Sequence, residues 1–149
     1  MRLRLLALAL LMAFAQLPLL AQTANPSGTQ DPSKFVGVWR GQFDNLPGAD
    51  LVIDNEGGSL HGAVVFYLHK RADTNSPFTA TPGLPGPLLN LRAEGPTLRF
   101  ELSHRLAHPP RTLHDPLMHF HLTITGPDQS ALGNDDEGGL GLPMKRTDY

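Results

Sequence analysis

The chain has 149 residues, with 14 acidic and 12 basic side chains, 15 glycines, 14 prolines and no cysteine. Such a length predicts one domain with room for a sizeable core, and the missing cysteine excludes disulfides, thiol nucleophiles and thiolate metal sites. No block of basic residues follows the N-terminal stretch, which argues against nucleic acid or an anionic membrane surface as a partner.

The N-terminal stretch reads separately from the rest. A basic start, Arg2 and Arg4, leads into an uncharged apolar run from Leu5 to Gln22, and a polar stretch follows. That layout predicts a signal peptide over residues 1–24, a linker over 25–33 and a domain over 34–149. A membrane anchor is the competing reading. Gln16 and Pro18 interrupt the run, and a span needs about 20 apolar residues. Ala13-Phe14-Ala15 and the region from Ala21 to Ala24 are the two cleavage candidates, the second leaving a longer apolar core. Losing Arg2 and Arg4 leaves ten basic against 14 acidic residues, a formal charge of −4. The expectation is a soluble bacterial protein, periplasmic or extracellular, with no membrane span in the mature chain.

The remainder alternates with period two, and no convincing helical period occurs. Phe35, Gly37, Trp39, Gly41 and Phe43 share one face of a first strand, with Arg40 and Gln42 opposite. Leu51 and Ile53 mark a short second strand, and Gly57-Gly58 turns the chain into a third carrying Leu60, Gly62, Val64, Phe66 and Leu68. From Arg71 to Leu89 the sequence holds four prolines, at 77, 82, 85 and 87, and reads as a loop. Its apolar Phe78, Leu84 and Leu88 predict a lid folded over the barrel mouth. Leu89 and Leu91 begin the next strand. Gly95-Pro96 turns it into another, on which Leu98, Phe100, Leu102 and His104 alternate with charged and polar residues. A second Pro-rich loop runs from Leu106 to Leu117. Met118, Phe120, Leu122 and Ile124 then alternate with His119, His121, Thr123 and Thr125. Ala131-Leu132 and the group Leu140, Leu142 and Met144 flank an acidic turn, Asn134 to Gly139. The sum is an all-β antiparallel meander of seven or eight strands, which removes its edges by closing into a barrel.

Four short motifs recur in this pattern: Gly37-x-Trp39-x-Gly41-x-Phe43, Gly57-Gly58-x-Leu60-x-Gly62-x-Val64-x-Phe66, Leu98-x-Phe100-Glu101-Leu102 and Met144-x-Arg146. Together they resemble a family of small secreted bacterial proteins of lipocalin-like, calycin type, and a similar domain precedes some secreted bacterial hydrolases. The resemblance implies a small lipocalin-like barrel and no established activity. In such a barrel Trp39 plugs the floor of the first strand and Arg146, from the last, stacks on its ring. Gly37 and Gly41 are expected to let that strand bend and to bring its neighbours close.

Of the seven histidines, five lie between His104 and His121. His119 and His121 share a strand face, a pairing that suits a divalent metal; a polar outer face is the plainer account. His104 continues the inward side of Leu98, Phe100 and Leu102 and would sit in the core or at a ligand-facing rim. Asp135, Asp136 and Glu137 lack the alternating pattern of a calcium loop and read as a solvated turn. The chain has no Gly-x-Ser-x-Gly elbow, P-loop or dinucleotide fingerprint, so the pattern supports no enzyme class and implies no cofactor. The leading expectation is a binding module for a small apolar ligand, walled by Phe35, Phe43, Phe66, Phe100, Phe120 and His104, with Phe78 in the covering loop. The alternatives are a filled barrel that binds another protein, and a histidine-dependent metal site.

Overall fold

The computed structural model describes residues 31–103, 116–138 and 141–147. The signal-peptide assignment, the linker up to residue 30 and the site candidate His104 fall outside these residues, and the last linker residues enter a 3-10 turn rather than a plain linker. A short 3-10 turn at Pro32–Phe35 precedes ten strands: β1 (Gly37–Phe43), β2 (Leu46–Glu56), β3 (Ser59–Lys70), β4 (Thr79–Pro82), β5 (Gly86–Pro87), β6 (Leu89–Glu94), β7 (Thr97–Ser103), β8 (Leu117–Gly126), β9 (Gln129–Asn134) and β10 (Leu142–Thr147).

Every ladder is antiparallel, and the order is β4-β3-β2-β1-β10-β9-β8-β7-β6, with β5 on β3. The first and last strands are neighbours, with Trp39 opposite Arg146. The sheet curls so that its inward residues meet in one core containing Trp39, Leu51, Leu98, Phe100 and Leu122. The chain is therefore all-β and barrel-like, as the period-two pattern requires.

The strand count is higher than the sequence pattern suggests. β4 and β5 both lie inside the stretch read as one loop, where the prolines mask them. Pro82 and Pro87 sit at strand ends, where a missing N–H costs least. β2 also begins earlier than Leu51, because Asp44 and Asn45, both at positive φ, make a two-residue hairpin turn.

Closure differs from the barrel expected. The stretch 86–94 pairs through β5 with β3 and through β6 with β7, and the Leu88 amide donates to Gly62 O at 3.0 Å. This short bridge joins the two sides of the curl. Below it, Ser59 and His61 face Asn90 and Leu91 across a cleft of about 540 Å³ rather than a ladder. Asn90 adopts a left-handed conformation, φ 52°, where the β6–β7 register breaks.

One end of the curl is sealed. Trp39 and Phe35 are fully buried there, and Trp39 Nε1 donates to the Phe35 carbonyl at 2.8 Å. The Arg146 guanidinium lies 4.5 Å from the centre of the Trp39 ring, and its Nη2 donates to the Lys34 carbonyl. Lys34 Nζ in turn donates to the Gly95 carbonyl, tying this cap to the β6–β7 turn. The two glycines beside Trp39 allow close approach: Gly37 is at φ 136°, and the β1–β2 register shifts just after Gly41. A Cβ on Gly37 would come within 3.3 Å of the Arg146 side chain, and one on Gly41 within 2.5 Å of Leu142 Cδ2. They clear space for the side chains of β10, so that Arg146 can reach the indole.

Candidate functional site

The opposite end of the curl is apolar and open. The antiparallel meander brings there the β1–β2 turn, the end of β3, β4, the start of β5, the end of β7 and the start of β8. Among the described residues, six of the seven large hydrophobic residues that are exposed lie at this end: Phe43, Phe66, Leu68, Phe78, Leu84 and Leu117. Exposure of one such residue is ordinary; of these six, Phe66 and Leu84 come together in one cleft.

A cleft of about 310 Å³ opens among them, lined by Val64 and Phe66 of β3, Leu84, Pro85 and Gly86 beside β5, Leu102 and Ser103 of β7, and Met118 of β8. Phe66 leans on Phe120 with ring centres 5.5 Å apart, and Phe120 stacks on Phe100 at 6.0 Å with planes 10° apart. The cleft edge is thus continuous with the buried core. Such aromatic pairs prefer offset contact and add about 0.5–1.5 kcal/mol beyond burial.

The expected wall residues divide into three groups. Phe35, Phe100 and Phe120 are buried in the core. Phe66, 37 % exposed, faces the cleft. Phe43 is 59 % exposed and meets His69 instead, ring centres 6.0 Å apart. The expected lid is corrected. Phe78 is 52 % and Leu84 86 % exposed, and Phe78 lies under the Arg71 guanidinium, 5.2 Å away. The loop is held by β4 pairing with β3 and by Leu88, its one buried apolar anchor. Leu84 and Pro85 form a side wall of the cleft, not a cover.

His119 and His121 do share the outer face of β8. Each Nδ1, however, is taken by a carboxylate of the acidic turn: His119 by Asp136 Oδ1 at 3.0 Å and His121 by Asp135 Oδ1 at 2.5 Å. The Asp135 amide donates to the His119 carbonyl at 2.8 Å, and the His119 amide donates to Asp136 Oδ2 at 2.8 Å. Arg99 bridges Asp135 and Glu94 at 2.8 and 3.0 Å. The hydrogen bond that the ring makes to the Asp136 carboxylate, followed by that residue's charge, raises the His119 pKa. Bonds from the His119 amide and then its ring hold the Asp136 carboxyl below its usual range. This is a clasp that pins the β9–β10 turn to β8. Among the described residues no group of three or more His, Cys, Asp or Glu side chains is placed to hold a metal ion. The sequence pointed to the histidines and missed their partners, because only the β8–β9 register sets Asp135 and Asp136 beside them.

Among the described residues no helix is long and apolar enough to cross a membrane. Comparison with protein-family models, with curated proteins and with solved structures finds no match for this chain.

Proposed function

We propose that the protein is an exported binding module that takes up a small apolar ligand at the open end of its curled sheet. The observation that carries this reading is the 310 Å³ cleft bordered by exposed Phe66 and Leu84 and backed by the Phe66–Phe120–Phe100 ring contacts. Binding sites are concave, mostly apolar and few per protein. The sealed end is filled by fully buried Phe35, Trp39, Leu51 and Leu98, so the ligand rests at the mouth rather than deep inside. Export is supported by the basic start and the uncharged apolar run that follows it. Of the motifs that carry the sequence likeness to lipocalin-like proteins, Gly37, Trp39 and Arg146 lie at the sealed end and say nothing of the ligand.

An uncharged naphthylamine dye tests the reading. The protein should bind it saturably with enhanced emission. Phe66→Ser and Leu84→Ser should each weaken that binding, and Val52→Ser, on an exposed residue of the outer β2 face, should not. Equal binding by all four proteins would refute the site. A second reading, an apolar protein partner, rests on Phe43, Leu68 and Phe78, which are exposed but do not line the cleft. It predicts that the dye is displaced by an apolar peptide and that Phe43→Ser weakens the displacement.

A further inference from the structure

A second cleft, of about 660 Å³, lies on the outer face where β1, β10 and β9 run side by side. Its polar lining is Arg40 and Gln42 from β1, Lys145 and Thr147 from β10, Gln129 and Ser130 from β9 and Thr125 from β8. No carboxylate lines it, although the chain as a whole carries a net negative charge.

The register makes this concentration of cations unusual. Arg40 is directly opposite Lys145 in the β1–β10 ladder, and Lys145 is directly opposite Gln129 in the β10–β9 ladder. Directly opposed residues project from the same face with Cβ atoms about 4.5–5.5 Å apart, and like charges in that position are destabilising. Trp39, Gly41 and Met144, their ladder neighbours, are buried on the other face, so Arg40 and Lys145 both point outward. Their neutralisation is one-sided: Asp50 is directly opposite Arg40 in the β1–β2 ladder, and no acid is opposite Lys145. Asp50 pairs with Arg40 Nε at 4.0 Å and shares its carboxylate with the Tyr67 hydroxyl, which donates to it at 2.9 Å. Lys145 has no ion pair among the described residues.

We infer that this cleft binds an oxyanion group, a carboxylate, phosphate or sulfate, between Arg40 and Lys145, with the Gln42 and Gln129 amides as further donors. A guanidinium fork matches the geometry of such a group, and an ammonium adds a compact charge beside it. The anion would also remove the repulsion within the Arg40–Lys145 pair. The site is on a different face from the apolar cleft and does not depend on it.

The test is an NMR titration of the full chain with sodium phosphate, sodium sulfate and sodium acetate, each against sodium chloride at matched ionic strength. Saturable shifts are expected at Arg40 Nε–H and at the Gln42 and Gln129 side-chain amides. Arg40→Gln and Lys145→Gln should each weaken binding about tenfold, the loss expected for one charge-assisted hydrogen bond. Tighter binding of phosphate and sulfate than of acetate assigns a phosphoryl or sulfuryl ligand; equal or tighter binding of acetate assigns a carboxylate. Lys145→Gln carries a second readout. In chloride alone it should raise the melting temperature by removing the like-charge pair, and it should lose the further rise that the binding anion gives the wild type. Both residues are exposed, so the variants keep the fold, as far-UV circular dichroism would verify. Shifts that match those in chloride, fail to saturate, or persist in the Arg40→Gln/Lys145→Gln double variant would overturn the inference.

Discussion

Replacing Trp39 with alanine tests the sealed end of the sheet most directly. The indole is fully buried among Phe35, Leu51 and their neighbours, and such large-to-small changes cost about 3–5 kcal/mol. Two further losses push this site toward the upper limit. The Phe35 carbonyl loses the Nε1 donor at 2.8 Å, and a buried acceptor left unpaired costs about 1–3 kcal/mol. The Arg146 guanidinium loses the ring 4.5 Å below it, worth about 0.5–2 kcal/mol. A domain of this kind is stable by about 5–15 kcal/mol, so the variant should be marginally folded. Urea denaturation followed by far-UV circular dichroism is the assay, since the substitution removes the only tryptophan. The stacking itself is isolated by a double-mutant cycle of Trp39→Leu and Arg146→Met, whose coupling should exceed about 0.5 kcal/mol. A Trp39→Ala cost below about 1 kcal/mol, or additive behaviour in the cycle, would refute the account of a floor made by these two side chains.

The clasp on β8 should respond to pH in a defined window. The raised His119 pKa gives a stabilisation complete below its unfolded value, about 6.5, and lost as pH rises through the folded value. The depressed Asp136 pKa gives one complete above about 3.9 and lost as pH falls through the folded value. The turn should therefore be held most firmly between about pH 4 and 6.5, with Glu101 and Asp135 adding to the pull on His119. Proton NMR should place the His119 midpoint above about 6.5 and Asp136→Asn should lower it; an unchanged midpoint in that variant would sink the clasp. For export, N-terminal sequencing of the protein from its native host should start after residue 24, and a chain beginning at Met1 in the membrane fraction would favour an anchor instead.

The fold was legible where one face of a strand is apolar and the other is not. Leu98, Phe100 and Leu102 opposite Leu122, Phe120 and Met118 form such a ladder, and alternation alone assigns both strands. Legibility failed where side chains do not carry the pattern. Gly86 and Pro87 make a strand with no apolar face, visible only through its pairing with Ala63 and Val64. Gly62 has no side chain to mark it, yet its bare backbone is what lets Leu88 dock: a Cβ there would meet Leu88 Cδ1 at 2.8 Å.

The candidate sites show the same division more sharply. Phe66, Phe100 and Phe120 read from sequence as one apolar set, and alternation cannot say which of the three is at the mouth. Height along the barrel decides it. Phe100 and Phe120 are opposite each other in mid-ladder, whereas Phe66 is opposite Ala49, whose small side chain leaves the ring uncovered. The charged sites depend on register still more. Arg40 and Lys145 are separated by most of the domain in sequence, and each alone is an ordinary exposed cation on an outward strand position. Only the β1–β10 register sets them face to face, just as only the β8–β9 register sets His119 and His121 against the acidic turn. Shifting either register by one residue would turn every side chain of the strand to the other face, burying Lys145 in place of Met144. The core that fixes the register, Trp39 against Arg146 and Leu132 beneath Leu122, therefore also fixes which charges meet on the outside. A variant that loosens the Trp39 floor should weaken oxyanion binding on the opposite face of the same two strands, while a substitution at the apolar mouth should not.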